Sequence, residues 1–156
     1  MPSKSQECSQ SVWAVLPTLM RTIAAHLRQQ EPRLDVTMWQ IMVLKWLKGD
    51  PLTVGQLARK FLVSTPTMTR LLDSLVERGL VERHEDQEDR RRVWLFLTRK
   101  GEDLFQELDR RALRCVEDIV AGLAADEKEK VAAAMDILQK ALHGSARTEP
   151  QRSSHG

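Results

Sequence analysis

Residues 52–101 read LTVGQLARKFLVSTPTMTRLLDSLVERGLVERHEDQEDRRRVWLFLTRKG, and this stretch decides the fold. Thr53 is placed to cap a short helix that carries Val54, Leu57, Ala58 and Phe61 on one face. Leu62-Val63-Ser64 makes a turn. Ser64 is a good N-cap for a second helix, and Pro66 falls in its first turn, where a missing N–H matters little. Met68, Leu71, Leu72 and Leu75 then point inward, which leaves Thr65, Pro66, Thr67, Thr69, Arg70, Asp73 and Ser74 outside. Leu80–Arg83 and Val93–Leu97 are strand-like runs, joined by the charged loop His84–Arg92. Helix, turn, helix and hairpin in that order make a winged helix. The fold class expected is therefore mainly α with a small β-hairpin wing: a winged helix-turn-helix head on a helical region.

Toward the N-terminus, Thr37 caps a helix whose Trp39, Met42, Val43, Trp46 and Leu47 read as a buried stripe, with Gly49 as its stop. Before it, Val12, Leu16, Leu19, Ile23 and Leu27 recur at helical spacing up to Glu31-Pro32. Pro17 interrupts that pattern; it either kinks the helix or marks the first turn of a shorter one. Residues 1–10 are polar and expected to be a flexible tail. Toward the C-terminus, Thr98 caps a long helix with Leu104, Leu108, Ala112, Cys115, Ile119 and Leu123 on its stripe. Asp126 and Glu129 resemble a capping box for a last helix bearing Val131, Met135, Leu138 and Leu142. Residues 144–156 lack apolar periodicity and are expected to be disordered.

The division of the second helix suits recognition of duplex DNA. An apolar stripe fixes the helix, and short polar groups at its N-terminal end can approach base edges in the major groove. An amphipathic helix with a merely solvated polar face has the same pattern, so the hairpin has to separate the two. Arg90-Arg91-Arg92 at its tip does little for stability, because surface charges contribute little and like charges repel. A narrow minor groove, with its strong negative potential, gives such a tip a use.

The totals are permissive. A chain of 156 residues with 42% apolar and 29% charged residues supports one ordinary domain with a core. A formal charge of +2 neither demands nor excludes nucleic acid, so the distribution of charge matters more than its sum. No apolar run reaches membrane-spanning length, and MPSKSQECSQ has no apolar core of a signal peptide, so a cytoplasmic protein with no membrane partner is expected.

The stretch resembles the winged helix of the multiple-antibiotic-resistance regulator (MarR) family of bacterial transcription factors. The resemblance rests on Leu57 to Ser64, on TRLLDSLVERGLVER from Thr69 to Arg83, and on the wing pattern DQEDRRRVWLFLTRKG from Asp86 to Gly101. Asp89, Arg90, Arg91, Leu97, Thr98 and Gly101 fall at the family's spacing. Leu62 stands where the family usually has Gly, and Gln87 where Pro is common. The resemblance implies a family-type domain over residues 11–143, with a DNA-binding head at 35–97 and dimerisation helices at 11–30 and 98–143. It implies a homodimer that binds a near-palindromic double-stranded operator, more often as a repressor, and that is released by a small aromatic or lipophilic effector. Carried over position by position, Thr65, Thr67, Thr69 and Arg70 would meet the major groove, and the helix start at Ser64 and Pro66 belongs to the same base-reading segment. Arg91 would enter the minor groove, with Asp89 orienting it and Arg90 and Arg92 nearby. The rival readings are a winged-helix protein-interaction module and a redox-responsive regulator sensing through Cys8.

For an effector, Trp13, Trp39 and Trp46 are candidates to line an apolar pocket, with His26 and Arg28 to meet a carboxylate. Cys115 falls on an apolar stripe, where a free thiol behaves as a small hydrophobe. The histidines at 26, 84, 143 and 155 are scattered, so no metal is expected. No nucleophile–base grouping, GxGxxG or P-loop is present, so neither an enzyme nor a cofactor is expected.

Overall fold

The computed structural model describes residues 1–30 and 36–145. In chain order these form α1 (Lys4–Gln30), α2 (Met38–Gly49), β1 (Leu52–Thr53), α3 (Val54–Lys60), α4 (Thr65–Glu77), β2 (Val81–Glu85), β3 (Val93–Leu97), α5 (Arg99–Ala121) and α6 (Ala125–Ser145). Glu31-Pro32, residue 35 at the start of the expected head, and the tail from 146 onward lie outside the described residues. The chain divides into two compact units, Met1–Cys115 and Val116–Gly156.

Helix starts in the first unit follow the side chains that satisfy their free amides. Thr37 and Thr53 form capping boxes with Gln40 and Gln56: each threonine accepts from the glutamine N–H, and each glutamine side chain accepts from the threonine N–H. A cap of this kind contributes about 1 kcal/mol. Ser3 and Gln6 make the same reciprocal pair, at 2.8 and 3.2 Å. Helix α1 therefore starts at Lys4, and the expected tail over residues 1–10 is mostly helical. Pro17 lies inside α1 rather than in its first turn.

The core is Val43, Leu44 and Leu47 of α2, Leu57 and Ala58 of α3, Met68, Leu72 and Leu75 of α4, Leu80, Val81, Leu95 and Phe105. Each of these larger side chains contributes roughly 1.5–3 kcal/mol on burial. Two tryptophans depart from expectation. Trp39 and Trp46 are 57% and 43% exposed, and Leu44 takes the buried place instead. The α2 stripe is rotated toward 40, 43, 44 and 47, where Gln40 can be buried because its capping bonds satisfy it.

The hairpin is the outer part of a three-stranded antiparallel sheet in the order β1-β3-β2. The two-residue β1 is too short to show a sequence pattern; it pairs Leu52 with Leu95 and Thr53 with Trp94. On the other side Val81 pairs with Leu97, Arg83 with Leu95 and His84 with Trp94. Alternation therefore puts Val81, Arg83 and Leu95 on the core side, and His84, Trp94 and Phe96 on the other. His84 and Phe96 meet edge to face at 5.0 Å on that outer side.

The β3–α5 junction is tight. Thr98 Oγ1 accepts from the Gly101 N–H at 3.0 Å and donates to the Gly79 carbonyl at 2.7 Å. In α5 the buried residues include Gly101, Phe105, Leu108 and Cys115, while Ile119 is exposed and Leu123 lies beyond the helix end. In the second unit α6 is capped two residues earlier than expected, at Ala124 rather than Asp126, because the Glu127 carboxylate accepts from the Ala124 N–H at 2.9 Å. Its Val131, Met135, Ile137 and Leu142 are exposed. Among the described residues no helix is long and apolar enough to cross a membrane.

Candidate nucleic-acid interface

Helix α4 presents its N-terminal turn outward. Ser64 caps it, accepting from the Thr67 N–H at 3.3 Å, and the Ser64 and Thr67 hydroxyls lie 2.8 Å apart. Thr65, Pro66, Thr67 and Arg70 are exposed, and Thr69 is half-buried with its hydroxyl donating to the Thr65 carbonyl at 2.9 Å. The Thr65 hydroxyl and the Arg70 guanidinium have no hydrogen-bond partner among the described residues. The free polar reach of this helix is thus carried by Thr65, the Ser64–Thr67 pair and Arg70. Asp73 and Ser74, expected outside, are half-buried.

The wing is built around two carboxylates. Asp86 accepts from Trp94 Nε1 at 2.7 Å, the Glu88 N–H at 2.8 Å and the Asp89 N–H at 3.0 Å. The Trp94 bond, ahead of the two amides, holds its pKa below the ordinary aspartate value. Asp89 accepts from both the backbone N–H and Nε of Arg91 at 3.1 Å, and its other oxygen lies 3.9 Å from Arg92 Nε. Arg91 is nevertheless 91% exposed. Arg90 is exposed and forms no ion pair among the described residues.

Recognition helix and wing meet at one depression of about 400 Å³, lined by Thr53, Val54, Gly55, Thr65, Thr69, Arg91, Arg92 and Val93. Four of the residues singled out in the sequence therefore surround a single concavity. Arg83, which the sequence reading passed over, ties the same two elements from behind. Its Nη2 donates to Asp73 Oδ1 at 2.8 Å and to the Thr69 carbonyl at 3.2 Å. The signal for Arg83 was its register: two residues after inward Val81, a charged group on the core side needs a partner. Asp86 was legible as a turn-former, since aspartate bonds to amides two and three residues on. The indole that completes it was not.

The five effector candidates do not converge. Trp13 is 77% exposed on α1, His26 pairs with Gln30 at 2.9 Å, Trp39 packs on Phe61 at 5.5 Å, and Lys60 Nζ sits 4.0 Å over the Trp46 ring. Arg28 lines a cavity of about 310 Å³ between α1 and α2 with Ala24, Leu27, Val36, Thr37, Met38 and Ile41.

The sequence between 34 and 92 matches the model of the MarR family. Over 114 residues the chain is 32% identical to the HTH-type transcriptional regulator YfiV of Bacillus subtilis, covering 72% of this chain and 71% of that protein. The fold is similar to that of a MarR mutant from Escherichia coli, at a TM-score of 0.72 and 27% identity over 86% of this chain and 95% of that one. A complex of an E. coli MarR mutant with operator DNA matches at a TM-score of 0.68 and 27% identity, covering 86% and 92%. The chain belongs to the MarR family of winged helix-turn-helix transcriptional regulators.

Proposed function

We propose that this regulator binds double-stranded DNA as a homodimer, with Ser64, Thr65, Pro66, Thr67, Thr69 and Arg70 facing the major groove and Arg91 the minor groove. The observation that carries this reading is the shared concavity of Thr65, Thr69, Arg91 and Arg92, which lets one stretch of duplex meet helix and wing together. The operator complex of the related E. coli protein supports it. Phosphate contacts supply most of the affinity and the α4 face supplies base discrimination.

Residues 11–30 and 98–143 serve as the dimerisation helices. Exposed Trp13, Val15, Leu16 and Met20 on α1, and Val131, Met135, Ile137 and Leu142 on α6, are apolar faces of the kind that a partner copy covers. Two heads related by two-fold symmetry read a near-palindromic operator with half-sites about one helical turn apart. The protein acts in the cytoplasm as a repressor. A small aromatic or lipophilic acid in the α1–α2 cavity, its carboxylate on Arg28, releases it from DNA.

The direct test selects bound sites from random DNA and titrates the selected duplex with wild type and Arg91→Ala. A clear loss of affinity on removing the guanidinium is expected. Unchanged specific affinity would refute the minor-groove role of the wing. Truncation before Asp126 should yield monomers by light scattering, and a stable dimer after that cut would refute the assignment of α6.

A further inference from the structure

Building on the reading of the wing as a DNA contact, we propose that Trp94 and Asp86 are positioning residues for DNA binding, acting through Asp89 on the guanidiniums of Arg91 and Arg92. A continuous set of hydrogen bonds links the sheet to the wing tip. Trp94 sits on β3, the central strand, between Thr53 of β1 and His84 of β2. Its indole N–H reaches one oxygen of Asp86 at 2.7 Å. The other oxygen takes the Glu88 and Asp89 amides, at 2.8 and 3.0 Å, and so fixes the backbone from which the Asp89 carboxylate projects. Asp89 in turn holds Arg91 through two donors at 3.1 Å and stands 3.9 Å from Arg92 Nε. Backbone bonds close the loop at both levels, Asp86 N–H to the Arg92 carbonyl at 3.0 Å and Arg92 N–H to the Asp89 carbonyl at 2.8 Å.

The chemistry at position 94 is specific. A phenylalanine would cover the same outer sheet face, but only an indole adds a donor aimed at Asp86. The carboxylate is equally specific, because its two oxygens serve opposite sides at once. An asparagine would turn an NH2 group toward either the indole N–H or the two amides, and donor would face donor. An arginine on a loop tip otherwise samples many rotamers, and ordering it on DNA subtracts from affinity. An arginine already held by a fixed carboxylate has lost much of that freedom before DNA arrives.

The experiment uses the full chain and a duplex selected by the wild type. Affinities of wild type, Trp94→Phe, Arg91→Ala and the double variant are measured by fluorescence anisotropy, with thermal unfolding of each. Trp94→Phe is expected to weaken binding roughly five- to tenfold, about 1–1.4 kcal/mol, with Arg91→Ala adding much less in that background than in the wild type. Fully additive losses, or no loss in Trp94→Phe, would overturn the proposal. The Arg91 Nε–H resonance in free protein gives a readout without DNA; it should move toward the position of an unbonded guanidinium in Trp94→Phe. An unmoved resonance overturns the relay even if affinity falls. Asp86→Asn provides the same two readouts should Trp94→Phe fold poorly. Failure of the underlying reading looks different: Arg91→Ala alone would then leave affinity unchanged.

Discussion

Arg83 on β2 donates to Asp73 on α4 at 2.8 Å, and the same nitrogen reaches the Thr69 carbonyl at 3.2 Å. One guanidinium thus binds a side chain and a main-chain oxygen of the recognition helix, while its own strand leads into the wing. Both partners are partly exposed, at 30% and 48%, so the ion pair itself contributes little, roughly 0–1 kcal/mol. Its effect is on geometry. Arg83→Ala should lower stability by less than about 1 kcal/mol in urea titrations, yet weaken DNA binding several-fold, because helix and wing lose their common fastening. Lysine should rescue this in part: its ammonium also has donors enough for both acceptors, but it stands on a more flexible stem than the guanidinium. Wild-type affinity in Arg83→Ala would show that the clasp is incidental to recognition.

Leu62, in the turn between α3 and α4, has φ +54° and is 82% exposed. Left-handed backbone disfavours a leucine by about 1–2 kcal/mol, and an exposed side chain recovers little of that by burial. Glycine relieves the strain but adds unfolded-state entropy of about 0.5–1 kcal/mol. Leu62→Gly should therefore be neutral to stabilising, by up to about 1 kcal/mol. Differential scanning calorimetry reads the sign, and a marked fall in Tm would mean that the leucine makes a contact the free chain does not show.

Gly101 behaves oppositely. A Cβ built there would stand 2.1 Å from the Leu80 carbonyl oxygen and 2.9 Å from a Leu97 methyl. The carbonyl cannot step aside, because it accepts from the Thr98 N–H at 3.1 Å. Gly101→Ala should cost about 2–3 kcal/mol or more, as overpacking against backbone does. Chemical denaturation is the check; a loss under about 0.5 kcal/mol would show that α5 can shift freely on the sheet.

Acidification should act on the wing late. Asp86 titrates below its ordinary value of 3.8, first because of the Trp94 hydrogen bond and then because of the Asp89 and Glu88 amides. A depressed folded pKa means that the stabilisation is fully present above the unfolded value and is lost as pH falls through the folded one. The Trp94 indole resonance should therefore titrate with a midpoint below pH 3.8. In α5, Glu107 follows the same rule, chiefly because Arg111 Nε donates to it at 2.7 Å. An indole resonance that titrates near pH 5 would contradict the Asp86 bond.

Salt should act on the complex strongly. If Arg90, Arg91, Arg92 and the α4 face neutralise several phosphates, raising salt from about 50 to 200 mM weakens binding by orders of magnitude, with a log–log slope near −0.9 per phosphate. A slope near zero in the anisotropy titration would point to a contact that is not phosphate-driven.

Much of this molecule was determined by residues acting locally. Caps at Thr37, Thr53, Ser64 and Thr98 start helices because each hydroxyl meets an amide within three residues, and such bonds need no knowledge of the rest of the chain. Spacing likewise marked Met68, Leu72 and Leu75 as the inner face of α4, and the run of arginines marked the wing. What the spacing left open is which way each helix turns once packed, so Trp39 and Trp46 came out exposed where Leu44 is buried. The tertiary structure alone decided contacts between elements distant in sequence. Strand register puts Arg83 under α4 and Trp94 over Asp86, and the packing of α5 brings Gly101 against Leu80. The reason is physical: local hydrogen bonds and periodicity follow from neighbouring residues, whereas register and helix rotation are chosen by the total apolar area that the whole fold can bury.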